Sequence, residues 1–501
     1  MEFKNYNDAT APLVSIVVPI YNMEKFLAET LRSIQQIQYP SLEILLMDDG
    51  SSDNSPAIAA EFAAADPRFH VLSQPNQGAS AARNNAIRQA RGVYILPIDA
   101  DNLVESTYVA HAVSVMESDP EVRVVCPRTD QFGLKTGEIH FPPYSIHKLA
   151  RKNIIDACAM FRRADWERVG GYCPEVPTRE DWEFWLSMLE DGGKVVRLPD
   201  IEFHYRQHAQ SKRHLMRKRT HEVVDIINRR HPELYEREYG GPLRHDRRWS
   251  LVINRVYRFF HPRRTVVSPE APSQLKYFVR ALPIHFRAEH GKLLYRHRNE
   301  LRMLSYQGKD YVVKQFARPN IINRMVYGFL RKSKAQRSYE NALELLRLGI
   351  GTPQPVAWQT ERDLLLFSRS YYVSLLSPCP YTYADIIAGK LSEEQTDAAL
   401  AAIAQTTARI HEAGLVHRDY SRGNILFGFL PDGSVEVQLI DLNRLRHRRV
   451  VSKEEGCRNL AERLPATSHQ RRSMAESYAQ ARGFQPEECL RLMEEGNKEK
   501  D

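Results

Sequence analysis

Carboxylates follow apolar runs in the first fifth of the sequence. Asp48 and Asp49 end the run LEILLMDD, and Asp99 and Asp101 stand two residues apart at the end of VYILPIDAD. Two carboxylates at this spacing beyond a strand can both reach one hard cation, and a divalent ion there neutralises a departing diphosphate. An acid pair alone is weak evidence, because Asp is also a common turn former. The pattern favours a nucleotide diphosphate bound together with a metal.

A second set of reactive side chains lies in the last fifth of the sequence. The segment HRDYSRGNILF places Asp419 and Asn424 five residues apart, with His417 two residues before the Asp, and Asp441 follows in VQLIDLNR. The pattern H-x-D-x-x-x-x-N followed by Asp is typical of kinase-like phosphotransferases. In that chemistry the first Asp accepts a hydroxyl proton, while the Asn and the second Asp hold Mg²⁺ with ATP. We therefore expect Asp419 to be catalytic and Asn424 and Asp441 to bind metal.

The upstream parts of such a site are present in the expected order. Lys314 lies in the β-like run KDYVVKQF, where it would grip the ATP phosphates, and a helix pattern after it offers Glu340 or Glu344 as the partner of the lysine. Several details differ from protein kinases. There is no G-x-G-x-x-G before Lys314, and the metal Asp is followed by Leu-Asn rather than Phe-Gly. The expected acceptor is therefore not a protein.

Strand-like and helix-like segments alternate along the part of the chain that carries the first set of acids. Apolar runs such as LVSIVVPIYN, LEILLMDD and VYILPIDAD alternate with helical patterns such as MEKFLAETLRSIQQI and SAARNNAIRQARG. Strands that are apolar on both faces and alternate with helices predict a largely parallel sheet covered by helices on each side. Ligands of such sheets bind at the carboxyl ends of the strands. The acids stand at those ends.

The N-terminal half resembles the inverting family 2 glycosyltransferases with the GT-A fold. The resemblance is carried by PIYN, DDGSSD, NQGASAARNNAI, DAD, GGYCPE and REDWEFWLSML, in family order over roughly residues 12–215. It implies an α/β, Rossmann-like mixed sheet. It also implies a nucleotide-sugar donor, with a UDP-sugar expected, and a Mg²⁺ or Mn²⁺ cofactor.

The same resemblance implies roles for individual residues. Asp181, in the RED motif, would be the general base that takes the acceptor proton, with Glu180 beside it as the alternative. His208, in HYRQHAQS, would touch the metal or the diphosphate. Asn102 stands where many relatives carry another Asp. The remaining expected contacts are to the nucleotide sugar from Pro19, Tyr21, Asp48, Asp49, Arg83 and Asp99, and to the metal from Asp99 and Asp101.

The C-terminal half resembles the lipopolysaccharide kinase family, which phosphorylates inner-core sugars such as Kdo or heptose. RSYENALELLRLGIGTPQPVAW, SRSYYVSLL, HRDYSRGNIL and LIDLNR carry the resemblance over roughly residues 280–465. It implies an α+β, protein-kinase-like fold and ATP as the phosphoryl donor. It also implies a glycolipid acceptor of the lipid A-core type.

Composition sets the limits on these interpretations. The 501 residues suggest two or three domains, and no apolar stretch approaches the ~20 residues that a membrane span needs. Six scattered cysteines without a CxxC pair fit neither a disulfide framework nor a zinc site. The N-terminus lacks a basic leader and a cleavage site, so we expect a cytoplasmic protein.

Positive charge is concentrated in the middle of the chain. Residues 206–264 contain 16 Lys and Arg against 6 Asp and Glu, and residues 247–264 interleave Arg with Trp, Phe, Tyr and Val. This pattern suits a basic amphipathic helix on the anionic cytoplasmic face of the inner membrane. A solvated helix packed between domains is an equal alternative. Nucleic-acid binding is not expected, since no recognised binding module accompanies the charge.

Together these patterns predict a glycosyltransferase domain at 1–235, a basic segment at 236–275 and a kinase-like domain at 276–501. A bifunctional enzyme of lipopolysaccharide core synthesis would act on one membrane-held glycolipid with both sites, because fusion raises their effective concentration. Two alternatives stay open. The second domain could be a pseudokinase that only docks the acceptor, or the pair could build capsule or another surface glycan. An antibiotic phosphotransferase is a weaker alternative that the attached sugar transferase disfavours.

Overall fold

The computed structural model describes residues 11–208, 219–364, 366–461, 464 and 467–498. The chain divides into two compact units, Met1–Asn254 and Arg255–Asp501. This boundary falls inside the basic segment predicted at 236–275.

The first unit is organised by a mixed sheet. Its described strands number nine, in the spatial order β3-β2-β1-β4-β8-β6-β9-β5, with β7 paired to β6. Strands β1 to β4 run parallel to their neighbours within the group β3-β2-β1-β4, whereas β8 is antiparallel to both β4 and β6. The strands are β1 (Val14–Ile20), β2 (Leu42–Asp48), β3 (Phe69–Ser73), β4 (Tyr94–Pro97), β5 (Leu103–Val104), β6 (Val122–Gly133), β7 (Gly137–Ile139), β8 (Met160–Arg162) and β9 (Lys194–Gln207).

Helices cover both faces of this sheet. In β1, Ile16 and Val18 belong to one buried cluster and Val17 to another, because successive side chains point to opposite faces. Burial on both faces explains the unbroken apolar runs of the sequence. The helices are α1 (Leu27–Gln35), α2 (Ser55–Ala65), α3 (Ala79–Gln89), α4 (Tyr108–Ser118), α5 (Ile146–Arg151), α6 (Arg163–Val169), α7 (Glu180–Leu189), α8 (Thr220–Arg230) and α9 (Pro232–Glu238).

A further helix spans the boundary between the units. It is α10 (Ser250–Phe260), and a short 3₁₀ helix at Arg247–Trp249 precedes it. Its buried side chains are the polar ones of Ser250 and Asn254.

The second unit contains an antiparallel sheet of six described strands, in the order β10-β14-β15-β13-β12-β11. These are β10 (Arg263–Val267), β11 (Lys292–Arg296), β12 (Glu300–Tyr306), β13 (Lys309–Phe316), β14 (Pro355–Asp363) and β15 (Leu366–Leu375). Two smaller sheets follow, formed by β16 (Tyr381–Thr382), β18 (Ile425–Phe429) and β19 (Val435–Leu439), and by β17 (Leu415–His417) and β20 (Leu445–His447).

Most described helices of the second unit follow the large sheet along the chain. The long α15 begins with a capping box in which Ser392 and Gln395 satisfy each other's backbone N–H groups. The helices are α11 (Leu275–Arg287), α12 (Ile321–Phe329), α13 (Lys334–Arg347), α14 (Tyr383–Ile387), α15 (Glu393–Glu412), α16 (Lys453–Ala461), α17 (Ser468–Arg482) and α18 (Pro486–Lys498), with a 3₁₀ turn at Leu442–Arg444.

All six cysteines are buried, and none of them forms a disulfide. Among the described helices, none combines the length and the apolar character that crossing a membrane requires.

Candidate active sites

The acids after β2 organise a loop at the carboxyl end of the first sheet. The carboxylate of Asp49 accepts hydrogen bonds from the backbone N–H groups of Gln77 and Gly78, both at 2.8 Å, and from the side chain of Gln74 at 2.7 Å. Asp48 accepts from the N–H of Ser51 at 3.2 Å. Both carboxylates are buried. Their packing holds the loop between β3 and α3 against the end of β2.

The other expected nucleotide contacts lie at the end of β1. Pro19 is still within the strand, paired with Met47 of β2, and Tyr21 beyond it is 47% exposed. Asn22 has a positive φ of 54° and its side chain accepts a hydrogen bond from the N–H of Ser52. The strand end therefore turns sharply and presents the Tyr21 ring to solvent, where a base can stack on it.

Arg83 joins the two acid motifs of the first unit. Its guanidinium contacts Asp99 at 2.5 Å and Glu180 at 2.9 Å, although Glu180 lies 97 residues from Arg83 in the sequence. The side chain is buried and its ring neighbour is Tyr172, at 5.4 Å. Burial opposes the charge, but the two carboxylates raise the pKa of Arg83, so it stays protonated. Arg83 thus ties the end of β4 to the start of α7.

Asp101 pairs with His208 on the other side of the same edge. The His208 Nε2 lies 3.0 Å from Asp101 Oδ2, and the imidazole packs on Phe26. Burial, followed by the nearby charge of Asp99, raises the pKa of Asp101. Asn102 is buried and accepts a hydrogen bond from the N–H of Arg206 at 2.9 Å, so it anchors the strand that leads to His208.

These side chains suit a divalent cation that takes some of its ligands from the protein and the others from substrate phosphates and water. Within the described ranges no cluster of three His, Cys, Asp or Glu side chains has the spacing of a metal site. Asp101 and His208 adjoin, and Asp99 contacts Arg83 instead. Mg²⁺ is commonly bound by one or two carboxylates together with substrate phosphates and water. Asp101, with Asp99 and His208 nearby, fits this kind of site.

The candidate general base lies in the first turn of α7. Asp181 Oδ2 accepts a hydrogen bond from the side chain of Asn153 at 2.6 Å. Burial, and next the charge of Glu180, raises the pKa of Asp181 to about 7, while Arg83 opposes the shift. Glu180 is ion-paired with Arg83, whereas the Asp181 carboxylate accepts a hydrogen bond from the neutral side chain of Asn153. Asp181 is the carboxyl whose pKa suits proton transfer near neutral pH.

In the second unit the predicted lysine and metal-binding Asp come together. Lys314 Nζ lies 2.6 Å from Asp441 Oδ1, across the space between β13 and the segment after β19. Asp441 has a positive φ of 57°, and the side chain of Asn443 donates to it. The backbone turn directs the carboxylate toward the lysine. This contact unites residues 127 positions apart in the sequence, 314 and 441.

The loop between β17 and β18 holds Asp419 and Asn424. The Asn424 side chain donates to the Asp419 backbone carbonyl at 2.8 Å. His417 is buried, accepts from the Asp419 N–H at Nδ1 and meets the Ile440 carbonyl at Nε2, so the proton is on Nε2. Burial lowers the pKa of His417, which keeps it neutral. The amide oxygen of Asn424 and the carboxylate of Asp441 are the oxygen ligands that Mg²⁺ prefers.

Glu340 does not pair with Lys314 in this structure, contrary to the sequence-based expectation. It accepts hydrogen bonds from Lys332 at 2.9 Å and from Gln336 at 3.0 Å. Gln336 lies one turn earlier on the same helix, so Glu340 faces that side of α13. The alternative, Glu344, lies 3.4 Å from His447. Asp441 is the carboxylate that neutralises Lys314 here.

Comparison with known proteins decides between the possible families. Residues 15–168 match the family model of glycosyl transferase family 2, and residues 296–480 match that of the lipopolysaccharide kinase (Kdo/WaaP) family. The chain joins a family 2 glycosyltransferase domain to a lipopolysaccharide kinase family domain. Both resemblances seen in the sequence are confirmed, and with them the GT-A and kinase-like fold classes.

Individual relatives cover parts of the chain. A chondroitin synthase of Escherichia coli is 31% identical over 185 residues, which are 36% of this chain and 27% of that protein. Among solved structures, S. aureus TarS 1–349 covers 55% of this chain and 80% of its own at 17% identity and a TM-score of 0.39. WaaP in complex with acyl carrier protein covers 48% of this chain and 100% of its own, at 17% identity and a TM-score of 0.34.

Two parts of the glycosyltransferase site were missed by sequence reasoning. Asn153 contacts the candidate base from a position 28 residues upstream, and Tyr172 packs on Arg83. Tyr172 falls in the GGYCPE motif, so the sequence itself marks its position. Asn153 lies outside every quoted motif, and only the folded chain brings it to α7.

The kinase family domain also contains residues that the motif did not single out. Arg444 lies 3.7 Å from the Asp419 carboxylate, and Asn459 donates to the carbonyl of His417 at 3.1 Å. Arg444 lies three residues after Asp441, inside the quoted LIDLNR, and Asn459, on α16, lies 18 residues after Asp441. The loop that carries Asp419 is therefore held from several directions.

Proposed function

We propose that the chain is a bifunctional enzyme of bacterial lipopolysaccharide core synthesis. One domain transfers a sugar from a nucleotide-sugar donor to a glycolipid, and the other phosphorylates a Kdo or heptose of the core with ATP. The observation that supports this most directly is the assembly of two separate sets of reactive carboxylates, one around Asp181 and one around Asp419. Asp99, Asp101 and Asp419 lie within the residues that the two family models match, and Asp181 follows the first match by 13 residues in the same compact unit.

The sugar transfer is proposed to invert the anomeric carbon. Asp181 takes the proton of the acceptor hydroxyl as its oxygen attacks the anomeric carbon, and the bond from that carbon to the nucleoside diphosphate breaks on the opposite face. Asn153 donates to one oxygen of Asp181 and leaves the other for the hydroxyl. Mg²⁺ or Mn²⁺ held by Asp101, with Asp99 and His208, would supply positive charge to the departing diphosphate. The donor is proposed to be a UDP-sugar, contacted by Tyr21 and the loop that Asp49 holds.

The phosphoryl transfer uses the second set. Asp419 accepts the proton of the sugar hydroxyl, whose oxygen attacks the γ-phosphorus of ATP, and the bond to ADP breaks. Lys314 binds the phosphates, and Asn424 with Asp441 would hold the Mg²⁺ that neutralises them. The 2.6 Å ion pair of Lys314 and Asp441 supports a working kinase over a pseudokinase, because the phosphate-binding lysine and the metal-binding carboxylate that the reaction needs are both present and adjoin.

Assembly of another surface polysaccharide is a second candidate function. It is favoured by the similarity of the glycosyltransferase domain to chondroitin synthase. Four curated relatives, among them the chondroitin synthase, are covered to between 27% and 37% of their length, so the substrates of this chain do not follow from theirs. In this case the kinase domain would phosphorylate a sugar of that polymer or of its lipid carrier.

Mass spectrometry of the surface glycolipids tests the proposal. Cells carrying Asp181→Ala should lose one sugar, and cells carrying Asp419→Ala should lose one phosphate. Matched controls are Asp191→Ala and Asp432→Ala, which remove exposed acids of the same two domains. Changes confined to capsule or another polymer would favour the second candidate. Unchanged phosphate in Asp419→Ala cells would contradict the kinase assignment.

The enzyme is further proposed to work at the anionic cytoplasmic face of the inner membrane. Helix α10 buries its polar Ser250 and Asn254 and exposes its apolar side chains, with Phe259 80% exposed and Val256 52% exposed. Arg255 and Arg258 stand among these exposed residues. An apolar face with basic neighbours suits the headgroup region of an anionic bilayer.

A neighbouring surface of the second unit has the same character. Ile321 and Ile322 of α12 are 57% and 65% exposed. Asp363 connects the two surfaces, because it lies 3.4 Å from His261, next to α10, and 3.6 Å from Arg324 of α12. The two helices therefore present their exposed apolar residues from adjoining parts of the fold.

Vesicle co-sedimentation tests the membrane proposal. Neutralising Arg255 and Arg258 to Gln should weaken binding to phosphatidylglycerol-containing vesicles at least tenfold, at about 1 kcal/mol per charge. Arg247 and Arg248 are to be neutralised separately, since Arg247 also donates to the carbonyl of Arg151. The control with the same charge change is Arg472→Gln with Arg491→Gln. Binding that survives neutralisation of all four arginines would contradict the proposal.

A further inference from the structure

A large basic cavity lies in the kinase family domain. Its volume is about 910 Å³, which is in the range of small-molecule binding sites. Four separate segments form its walls: the ends of α12 and α13, the residues around β17, the segment after Asp441, and α16. Its charged lining consists of the basic residues Lys334, Arg337, Arg418, Arg444, Arg446 and Arg458 and the acidic residues Glu454 and Glu455.

The basic side chains of this cavity are only partly neutralised. Glu455 pairs with Arg448, at 3.1 Å. In the described parts of the chain, Lys334, Arg418 and Arg446 have no carboxylate within 4.0 Å. The Nε atom of Arg337 is buried and has no hydrogen-bond partner among the described residues. A buried donor without a partner is costly, and an anion would supply one.

The charges also act on one another. Burial, and then the charges of Arg298, Arg444 and Arg337, lowers the pKa of Lys334. Desolvation, and then Arg418 and Arg448, lowers the pKa of Arg446. Positive charges that lie close together repel one another. A bound anion stabilises them, because each of these charges is then attracted to the anion.

The cavity adjoins the residues proposed to transfer phosphate. Arg418 directly precedes Asp419, and the Arg444 guanidinium is 3.7 Å from the Asp419 carboxylate. Asn443, which also lines the cavity, donates to Asp441. An anion in the cavity therefore lies next to the place where the acceptor hydroxyl meets Asp419.

We infer that this cavity binds a phosphate or carboxylate group of the acceptor, so that the kinase domain selects sugars that already carry negative charge near the hydroxyl it phosphorylates. The inference rests on the proposed kinase function and names its substrate class. Arginine guanidinium groups form paired hydrogen bonds with both kinds of anion, which accounts for the abundance of Arg over Lys in the lining.

Direct binding of inorganic phosphate tests the site without requiring turnover. The full chain is first saturated with Mg²⁺ and a non-hydrolysable ATP analogue, so that the nucleotide site is filled, and phosphate is then titrated by calorimetry. Lys334→Ala and Arg446→Ala should each weaken phosphate binding about tenfold or more, as expected for the loss of one charged hydrogen bond. Arg472→Ala, an exposed arginine outside the cavity, should leave the affinity unchanged.

The same titration separates this inference from the kinase proposal. Asp419→Asn should abolish phosphoryl transfer and retain phosphate binding. Equal phosphate affinity in the wild type and in a folded Lys334→Ala/Arg446→Ala double variant, with melting temperatures matched, would overturn the inference. So would the absence of phosphate binding to the wild type.

Kinetics distinguish an acceptor group from free phosphate. With the glycolipid acceptor, Arg446→Ala should raise the KM for the acceptor about tenfold and leave the KM for ATP unchanged. Phosphatase treatment or carboxyl reduction of the acceptor should raise the wild-type KM to a similar level. Equal wild-type KM values for charged and neutralised acceptors would overturn the inference. Stimulation of both acceptors by added phosphate, lost in Arg446→Ala, would instead show a site for free phosphate.

Discussion

Replacing Asp181 with Asn should stabilise the glycosyltransferase domain while stopping sugar transfer. The pKa of Asp181 rises from an ordinary value of 3.8 to about 7 in the folded protein, chiefly because of burial and next because of Glu180. The difference corresponds to roughly 4 kcal/mol against the ionised form. The side chain keeps some solvent contact, and screening should reduce the effect to about 2 kcal/mol.

The sign of the pH dependence follows from proton binding. Between pH 3.8 and about 7 the folded protein holds a proton on Asp181 and the unfolded chain does not. Stability therefore falls as pH rises through this interval, and the whole cost is present above about pH 7. Asn is neutral and similar in shape, and its amide oxygen can still accept the hydrogen bond from Asn153. The variant avoids the cost of ionisation at high pH.

Thermal unfolding at pH 8 and pH 5, without nucleotide and with EDTA, measures the effect. We expect the melting temperature of the domain to rise by about 4 to 8 °C in Asp181→Asn at pH 8. At pH 5 we expect roughly a third of that rise, because Asp181 is protonated in the folded protein and only the part of the cost between pH 3.8 and pH 5 is present. Sugar transfer should fall at least about a hundredfold, as for loss of a general base. An equal change at both pH values, or a less stable variant at pH 8, would refute the electrostatic argument.

Three further predictions follow from other buried contacts. Asn153→Ala should move the midpoint of the pH profile of kcat/KM for sugar transfer above that of the wild type, because the hydrogen bond that favours ionised Asp181 is lost; an unchanged midpoint would contradict the positioning role. The pKa of His231 is raised to about 9, because the charges of Glu190 and Glu183 outweigh burial. Protonated His231 therefore stabilises the fold below pH 6.5, and this stabilisation is lost as pH rises through about 9. Calorimetry should show His231→Gln destabilised by about 3 kcal/mol at pH 6 and much less at pH 10. His411, whose pKa burial lowers to about 4, has the opposite sign, so acid should unfold the kinase domain between pH 6.5 and 4 earlier in the wild type than in His411→Gln, as followed by circular dichroism.

The sequence by itself determined the two fold classes and the pairs of reactive groups that lie close along the chain. Unbroken apolar runs that end in Asp48 and Asp99 specify buried parallel strands with acids at their ends, because each strand must be covered on both faces. The spacing of Asp419 and Asn424 likewise specifies one loop. These signals depend on periodicity and local spacing, which a single sequence displays directly.

The tertiary structure alone decided which distant charges meet. Glu340 stands on a suitable helix, yet the rotation of α13 directs it to Lys332, and Lys314 meets Asp441 instead. Arg83 joins Asp99 to Glu180, and that contact leaves Asp181, rather than its neighbour, as the candidate base.

The basic cavity shows the same limit most clearly. Its lining comes from positions 327 to 459, and no local pattern of charge marks them as one site. Whether a charge is paired, buried or repelled depends on neighbours that packing brings within a few ångströms. Side-chain direction and the meeting of remote segments are set by the packing of the whole domain, which local sequence patterns do not contain.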